Sequence, residues 1–343
     1  MKRSELSSEK NLKTNMFDNN KKSSSYVYTK ALVTISFLSI AILFCVASAY
    51  FLIIQNNKKA EIVIAEHVAT TTKEIYSPSS FQDVNIEAES FVVYDPLTKK
   101  IIASRESEKV FPLASVTKVM TGLITETYLP NDAVIKIQAS DLSPEGDSGL
   151  KIGDTWQRDE LVAYTLTVSS NDGARALARV TGGYLKTDMA TSTDDAVDVF
   201  IKKMNEVSAE LELSSLHFNN ESGLDINQNK NGGYGSAADV AKLFARAYAT
   251  APSVFENTTK SLSYIKSKDG TSKAKNTNEG ASSIPGLAAS KTGYTGLAQG
   301  NLGVVIEMGP ANPIVIVVLH SSKDGRFTDI EKLRKAVLAS MRQ

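Results

Sequence analysis

The most informative stretch of this chain reads Phe111-Pro-Leu-Ala-Ser-Val-Thr-Lys-Val-Met-Thr-Gly-Leu-Ile-Thr125. Its apolar residues have helical spacing, and Pro112 suits the first turn of a helix because that turn does not need its missing N–H. Ser115 and Lys118 stand three positions apart, so a helix would place the hydroxyl and the amine on one face. We predict a helix here, with Ser115 as a nucleophile and Lys118 as its base. The alternative is a serine that caps the helix and a lysine that faces solvent.

The composition is that of an ordinary globular protein without a charge bias. Of the 343 residues 42% are hydrophobic and 22% are charged, and the formal net charge is zero. A nucleic-acid-binding protein normally carries a basic surface, so we expect no nucleic-acid partner. Cys45 is the only cysteine and the three histidines lie far apart, which excludes an intrachain disulfide and gives no metal-ligand spacing. We therefore expect chemistry that needs no metal and no other cofactor.

The first 85 residues indicate a membrane-anchored chain. Residues 1–30 are polar, with seven basic and three acidic side chains, and are predicted to be a disordered cytoplasmic tail. Residues 31–54 carry no charge and are long enough to cross a hydrocarbon layer of about 30 Å, so we predict one transmembrane helix. The basic residues before it place the N-terminus in the cytoplasm. Residues 55–85 are interpreted as an extracytoplasmic linker and residues 86–343 as the functional domain.

Two alternatives to an anchor exist for residues 31–54. A buried core helix of such uniform apolarity would be unusual. A cleaved signal peptide normally has an apolar region of about 7–15 residues, which is shorter than this one, although Ala47-Ser48-Ala49 resembles a cleavage site. We therefore favour the uncleaved anchor.

From residue 86 onward, strand and helix patterns follow one another. Short runs rich in β-branched and aromatic residues predict strands at both ends of this region, and apolar residues at helical spacing predict a helical middle. This order predicts an α+β fold, with an antiparallel sheet flanked by helices and a mostly helical subdomain. The predicted strands are 91–94, 101–104, 133–137, 302–306 and 314–319, with two or more strands possible between 257 and 285. The predicted helices after the first are 158–167, 174–180, 195–212, 237–249 and 328–341.

Two further motifs follow the first one along the chain, Ser169-Ser170-Asn171 and Lys291-Thr292-Gly293. Taken alone, each could be an ordinary turn, helix cap or strand end. Coincidence is a much poorer explanation for all three motifs in this order, each at a predicted element boundary. We interpret them together as one site for acyl transfer to a serine.

Each motif has a task in this chemistry. Ser169 would return the proton to the leaving amine, Asn171 would orient Lys118, and Gly293 would let a substrate backbone lie close to its strand. Lys118 must be neutral to act as a base, so its pKa must fall from about 10.4 by roughly 3–4 units. Burial and a second cation both act in this direction. Lys291 could be that cation, and it could also attract a substrate carboxylate.

The three motifs resemble those of the serine penicillin-recognising enzymes. Their surroundings are similar to the D-alanyl-D-alanine carboxypeptidase type of low-molecular-mass penicillin-binding protein, over roughly residues 86–342. The resemblance implies a β-lactamase/transpeptidase-like fold. It also implies a serine-type D-Ala-D-Ala carboxypeptidase that removes the terminal D-alanine of peptidoglycan stem peptides through an acyl-enzyme on Ser115. The stretches that carry the resemblance are 111–118, 166–178, Met204-Asn205, 220–225 and 286–293.

The resemblance also implies the roles of individual residues and the partners. Its catalytic residues are Ser115 as nucleophile, Lys118 as base, and Ser169 with Asn171 as the second motif. The implied partners are stem peptides that end in D-Ala-D-Ala, and β-lactam antibiotics as covalent inhibitors. Together with the bilayer contact of residues 31–54, it implies a single-pass protein of a bacterial cell membrane with an extracytoplasmic catalytic domain.

The third motif and its neighbours supply the implied substrate-binding residues. Lys291 and Thr292 would bind the terminal carboxylate. The oxyanion hole would use the backbone N–H groups of the nucleophile and of Tyr294, the residue after Gly293. Arg326, in Asp324-Gly-Arg-Phe327, is similar to a late arginine of the family that helps to hold the carboxylate.

Other activities on the same core remain as alternatives. An endopeptidase that cuts peptidoglycan cross-links would share all three motifs. A class A β-lactamase would have Ser-Asp-Asn as its second motif and a separate glutamate, whereas this chain has Ser169-Ser-Asn171. A non-catalytic, membrane-tethered wall-binding module would have little reason to keep both Ser115 and Lys118. Many relatives also carry a β-rich second domain and a C-terminal anchor, where this chain is expected to have an N-terminal one.

Overall fold

The computed structural model describes residues 78–143, 145–146, 148–186 and 193–341. The chain divides into two compact units, residues 1–73 and 74–343, and the description concerns the second. The predicted tail, the predicted membrane span and the linker up to residue 77 lie outside the described residues. Within the described part of the chain, no helix has the length and apolarity needed to cross a membrane.

The described residues form both strands and helices. The strands are β1 (Ser90–Asp95), β2 (Lys100–Arg105), β3 (Val110–Pro112), β4 (Val134–Lys136), β5 (Thr155–Gln157), β6 (His217–Phe218), β7 (Gly233–Ser236), β8 (Leu262–Ser267), β9 (Gly270–Lys275), β10 (Leu287–Thr295), β11 (Gln299–Glu307) and β12 (Pro313–Ser321). The α-helices are α1 (Lys118–Tyr128), α2 (Arg158–Val168), α3 (Asn171–Leu185), α4 (Thr193–Glu210), α5 (Ala237–Thr250) and α6 (Gly325–Ser340).

The main sheet has the strand order β10-β11-β12-β1-β2, and every neighbouring pair is antiparallel. Its central strands are buried on both faces, because β11 and β12 are apolar at consecutive positions. Helix α5 packs on one face and α6 on the other. Gly303 makes room for α5, since a Cβ at this position would lie 2.5 Å from the ring of Phe244. The predicted antiparallel sheet flanked by helices is thus confirmed.

Helices α1 to α4 form the mostly helical subdomain. Helix α1 is buried over most of its length, because α2, α3 and α5 all pack around it. Gly122 permits this close packing, since a Cβ there would lie 2.9 Å from Val254 and 3.1 Å from Leu166. A large core joins these helices to one face of the sheet, and a smaller core lies on the other face beneath α6. The site sequences therefore lie where the sheet meets the helices.

The start of the first helix differs from the prediction. Pro112 does not open the helix but ends β3, where it pairs with Tyr234 of β7. A short 3-10 turn over Ala114–Thr117 follows, and α1 begins only at Lys118. The cause is tertiary: the next backbone N–H, of Leu113, donates to the Gly233 carbonyl at 2.8 Å, which holds this segment against β7.

The remaining predicted elements are present with shifted ends. Helix α3 begins at Asn171 because Ser170 caps it, with the Gly173 N–H donating to Ser170 Oγ at 2.8 Å. Residues 257–285 contain the antiparallel hairpin β8–β9. At the N-terminal end, Phe81 and Val84 pack against the smaller core. The folded domain thus includes these two residues of the predicted linker.

Candidate active site

The first motif lies on the tight turn that leads into α1. Ala114 begins the turn with φ of +48°, a left-handed conformation that is uncommon for a residue with a Cβ. Ser115 follows and is partly exposed, whereas Lys118 is fully buried. The turn therefore presents a serine hydroxyl near the surface, directly beside a buried amine.

Three oxygen atoms surround the Lys118 amine. Its Nζ lies 2.9 Å from Ser115 Oγ, 2.7 Å from Asn171 Oδ1 and 2.8 Å from the carbonyl oxygen of Ser222. An ammonium group can donate one proton to each of these acceptors. A neutral amine has only two protons and a lone pair, so it can donate to Asn171 and Ser222 and accept from Ser115. The arrangement thus fits both the charged and the basic form of Lys118.

Burial lowers the pKa of Lys118 from its usual 10.5 to about 7. The cause is loss of water around the charged form. The carboxylate of Glu221 acts in the opposite direction and raises the pKa. A large fraction of Lys118 is consequently neutral near pH 7, as a base for the Ser115 hydroxyl requires.

The second motif forms the junction between α2 and α3. Ser169 ends α2 in a left-handed conformation with φ of +62°, and Asn171 is the first residue of α3. Asn171 Oδ1 accepts from Lys118, while its Nδ2 donates to the Glu145 carbonyl at 2.7 Å. These two bonds fix both ends of the amide and assign its orientation. The structure thus brings Asn171 to Lys118, which is the placement that its predicted orienting role requires.

Lys291 of β10 faces the second motif. Its side chain is buried, and its Nζ donates to Ser169 Oγ and to the Thr292 carbonyl, both at 2.9 Å. Burial holds the pKa of Lys291 well below its usual range, and the nearby cations Lys118 and Arg326 lower it further. The predicted coupling of the two lysines is therefore present, but burial, rather than Lys291, lowers the pKa of Lys118.

The end of β10 lies against the Ser115 turn. A Cβ on Gly293 would lie 2.6 Å from the Leu113 carbonyl oxygen and 3.2 Å from the Val116 backbone nitrogen. Gly293 thus permits a close approach by the chain's own backbone, and the approach of a substrate backbone to this strand stays a prediction. The contact holds the strand next to the nucleophile turn.

The other predicted binding residues occupy the same strand end. Thr292 Oγ1 lies 2.6 Å from Thr277 Oγ1. Arg326, near the start of α6, is buried, and its Nη1 donates to the Gly293 carbonyl at 2.7 Å. Tyr294 follows with 46% of its surface exposed. The structure brings all the predicted site residues into one region, with Arg326 bonded to the strand that carries the third motif.

Sequence reasoning gave no role to three residues that complete the site. The Ser222 carbonyl is the third acceptor for Lys118, and Glu221 beside it is the acidic group that raises the lysine pKa. Thr277 contacts Thr292 from the segment after β9. The stretch 220–225 carries part of the resemblance, but nothing in its residue types indicates a backbone acceptor. Such a role depends on tertiary placement.

The site offers hydroxyl, amine and amide groups rather than metal ligands. Among the described residues, no group of three or more histidine, cysteine or acidic side chains could hold a metal ion. The functional groups present are those of serine acylation: a nucleophile, a base of lowered pKa, and hydrogen-bond donors beside them.

The antiparallel sheet, the helical subdomain and a serine beside a buried lysine together define the class of serine penicillin-binding proteins. The chain belongs to the D-alanyl-D-alanine carboxypeptidase family, whose family model matches residues 76–323. It is 27% identical to a D-alanyl-D-alanine carboxypeptidase (DacB2) of Mycobacterium tuberculosis, over 69% of this chain and 77% of the relative.

Two further comparisons bear on activity and fold. The chain is 26% identical to a D-alanyl-D-alanine endopeptidase of Pseudomonas aeruginosa, over 72% of this chain and 76% of that protein. Its structure is similar to penicillin-binding protein D2 of Listeria monocytogenes in the ampicillin-bound form, with a TM-score of 0.62 and 27% sequence identity. That similarity covers 75% of this chain and 99% of the Listeria chain.

Proposed function

We propose that the chain is a serine-type D-Ala-D-Ala carboxypeptidase that removes the terminal D-alanine of peptidoglycan stem peptides through an acyl-enzyme on Ser115. The observation that carries this proposal is the buried Lys118 amine, 2.9 Å from Ser115 Oγ and with a pKa of about 7. Family membership supports the substrate class.

Acylation begins when Lys118 Nζ accepts the proton of Ser115 Oγ. The oxygen attacks the carbonyl carbon of the penultimate D-alanine, and backbone N–H groups of Ser115 and Tyr294 stabilise the oxyanion that forms. The bond to the terminal D-alanine nitrogen then breaks. Ser169 Oγ passes its proton to this nitrogen, and the proton that Lys118 took from Ser115 replaces it on Ser169 Oγ, so that both groups return to their starting forms. Lys291, 2.9 Å from Ser169 Oγ, holds the hydroxyl in place.

Deacylation uses the same base with water in place of serine. Lys118 accepts a proton from a water molecule, whose oxygen attacks the ester carbon. The ester bond to Ser115 Oγ breaks, and the proton returns to this oxygen. The shortened peptide leaves with a free carboxylate, and the enzyme is restored.

The terminal carboxylate of the substrate is assigned to the cationic end of β10. Arg326 supplies positive charge, Lys291 becomes charged when the carboxylate binds, and the Thr292 hydroxyl supplies a hydrogen-bond donor. A carboxylate here stabilises the charged form of Lys291 against burial. This preference for a free chain end is what separates a carboxypeptidase from a general peptidase.

Covalent labelling with a fluorescent penicillin tests the nucleophile. The β-lactam ring opens on Ser115 in the same way, but its amine stays attached to the acyl group. We expect one label on the full-length chain and none on the Ser115→Ala variant. Ser143→Ala, at an exposed loop hydroxyl, is the matched control and should label normally. Labelling of the Ser115→Ala variant would refute the assignment.

Product analysis tests the reaction. We expect D-alanine release from a pentapeptide stem that exceeds hydrolysis of a chromogenic cephalosporin. Rapid cephalosporin turnover without D-alanine release would identify a β-lactamase instead. Because one relative is named as an endopeptidase, a cross-linked stem dimer is the second substrate. Faster cleavage of that dimer than of the pentapeptide would establish the endopeptidase alternative.

We also propose that residues 31–54 anchor the chain in a bacterial cell membrane as a single-pass helix, with the N-terminus cytoplasmic and the catalytic domain outside. The charge-free length of this segment and the basic residues before it support the proposal. The full-length chain should stay with membranes after alkaline carbonate washing, and a chain starting at residue 55 should not. Release of both chains would disprove the anchor.

A further inference from the structure

The hairpin β8–β9 carries a basic surface in a chain whose net charge is zero. Three of its inward residues, Ser263, Ile265 and Ala274, are buried, and the last two belong to the larger core. Its outward positions alternate with these and are exposed. They are Leu262, Tyr264 and Lys266 on β8, and Thr271, Lys273 and Lys275 on β9. We call these six residues the hairpin face.

The strand register assembles the hairpin face into one continuous patch. Leu262 pairs with Lys275, Tyr264 with Lys273, and Lys266 with Thr271. Directly opposed residues of antiparallel strands share a face, so the three lysines surround the two apolar side chains. Tyr264 is 67% exposed and Leu262 is 41% exposed.

Acidic residues do not neutralise the hairpin face. Neither β8 nor β9 contains an aspartate or glutamate. Asp269, in the connecting turn, accepts from the Thr155 N–H at 2.6 Å and is thereby turned to β5. Lys260 before β8 and Lys268 in the turn are exposed as well. The face therefore presents a net positive charge to solvent.

Lysines combined with an exposed tyrosine and leucine are typical of surfaces that contact a lipid bilayer. The amines attract anionic headgroups, while the aromatic and aliphatic side chains enter the boundary of the acyl region. A wholly hydrophilic polyanion would satisfy the lysines but would leave Leu262 and Tyr264 without a partner. The residue types thus favour a membrane over a soluble polymer.

We propose that the hairpin face docks on the anionic phospholipid surface of the membrane in which the chain is anchored. The proposal rests on the anchor at residues 31–54 for its geometry. From residue 54 to residue 78 the chain can reach at most about 80 Å. The anchor therefore keeps the hairpin face near the bilayer, and even a weak attraction to the lipid headgroups can act because the two are tethered together.

Docking would also set the position of the active site. Lys275 ends β9, and Thr277, two residues later, lies 2.6 Å from Thr292 of the third motif. The face and the cleft are therefore joined by a short, hydrogen-bonded segment. Attachment of the hairpin to the bilayer would hold the cleft at a fixed distance from the membrane.

The acetylation rates of individual lysines measure the docking. The full-length chain is placed in nanodiscs of phosphatidylcholine alone or mixed with phosphatidylglycerol, and limited acetylation is read for each lysine by mass spectrometry. We expect Lys266, Lys273 and Lys275 to react about tenfold more slowly on the anionic discs, because anionic headgroups hold the amines in their charged, unreactive form and shield them from the reagent. In 1 M salt, where charges are screened beyond about 3 Å, the difference should vanish. Lys99 and Lys100 are exposed at the start of β2, the edge of the main sheet opposite β10, and as internal controls they should not change.

A pair of variants tests the apolar part of the face. Leu262→Ser with Tyr264→Ser should restore much of the lysine reactivity on anionic discs. Ile152→Ser with Ile226→Ser removes two other exposed apolar side chains and should have no effect. Penicillin labelling of each variant verifies that the domain is folded, since the hairpin face is not part of the catalytic machinery.

Two outcomes would overturn the proposal. One is equal acetylation of the hairpin lysines on neutral and anionic discs. The other is that poly(glycerol phosphate), added to the chain on neutral discs, slows acetylation of the hairpin lysines as much as anionic lipid does. That result would assign the face to a soluble polyanion. Release of the chain from neutral discs in high salt would contradict the anchor alone. The docking is tested separately, by lysine acetylation on anionic discs.

Discussion

At the scale of single residues, two opposing influences act on the proton of Lys118. Burial lowers its pKa, and Glu221 raises it. Glu221 is itself buried, with Arg175 3.7 Å from one of its carboxylate oxygens. The resulting pKa of about 7 lies where a general base is most effective at neutral pH.

The rate of acylation by penicillin should therefore rise with pH and level off above an apparent pKa near 7. The sign follows because only neutral Lys118 can accept the Ser115 proton. Replacement Lys118→Ala should slow acylation by about 10²–10⁴-fold, the usual loss for a general base. Stopped-flow labelling between pH 5 and 9 measures both effects. A rate that is flat across this range would contradict the assignment of Lys118 as base.

The variant Glu221→Gln should shift this pH profile to lower pH. Loss of the carboxylate removes the group that stabilises the charged lysine, so its pKa falls. Glutamine keeps the shape and a carbonyl oxygen for the Arg175 side. Glu331→Gln, at a surface ion pair on α6, is the matched control and should leave the profile unchanged. A shift to higher pH would show that Glu221 acts on another group.

At the scale of elements, the packing of β10 on the nucleophile turn depends on one missing side chain. Gly293→Ala would place a Cβ 2.6 Å from the Leu113 carbonyl oxygen, so strand and turn must separate. We expect a loss of about 1–3 kcal/mol in the free energy of unfolding and acylation slowed at least tenfold. Gly296→Ala, with nothing within 4 Å of its Cβ, should change neither. Denaturation and penicillin labelling provide the two measurements.

Some elements of the fold can be predicted from the local sequence, whereas others depend on tertiary contacts. Helical periodicity predicts the main helices, and short runs rich in β-branched residues predict four of the five strands of the main sheet, all except β10. The local sequence predicts a helix start at Pro112, yet this residue ends β3 because the segment pairs with β7. The three motifs predict which side chains form the candidate site. The Ser222 carbonyl and the contact of Thr277 with Thr292 were not predictable, because they depend on distant segments meeting.

At the scale of the whole molecule, one sheet separates the two cores and is shared by both. Alternate side chains of β11 and β12 point into the larger core on one face and the smaller core on the other. Trp156, the only tryptophan of the chain, lies in the larger core. Loss of either core therefore exposes the sheet on which the other is built.

Because of this sharing, the catalytic domain should unfold in a single transition. The variant Leu333→Ala, in the smaller core beneath α6, should cost about 2–5 kcal/mol and shift the whole transition to lower denaturant. Trp156 fluorescence should follow the same curve as circular dichroism, although Trp156 belongs to the other core. Leu97→Ala, at an exposed turn residue, is the control and should leave the midpoint in place. Separate midpoints for the two probes would show that the cores unfold independently.

The suppressed charge on Lys291 links ligand binding to the proton concentration of the medium. In the free protein, burial and neighbouring cations keep the pKa of this amine well below its usual range. A bound carboxylate favours the ammonium form, so the complex should take up a proton from solution. Calorimetric titration of the Ser115→Ala variant with a D-Ala-D-Ala peptide, in buffers of different ionisation enthalpy and over a series of pH values, should reveal this uptake. The carboxyl end of the substrate would then create, on arrival, the positive charge that holds it.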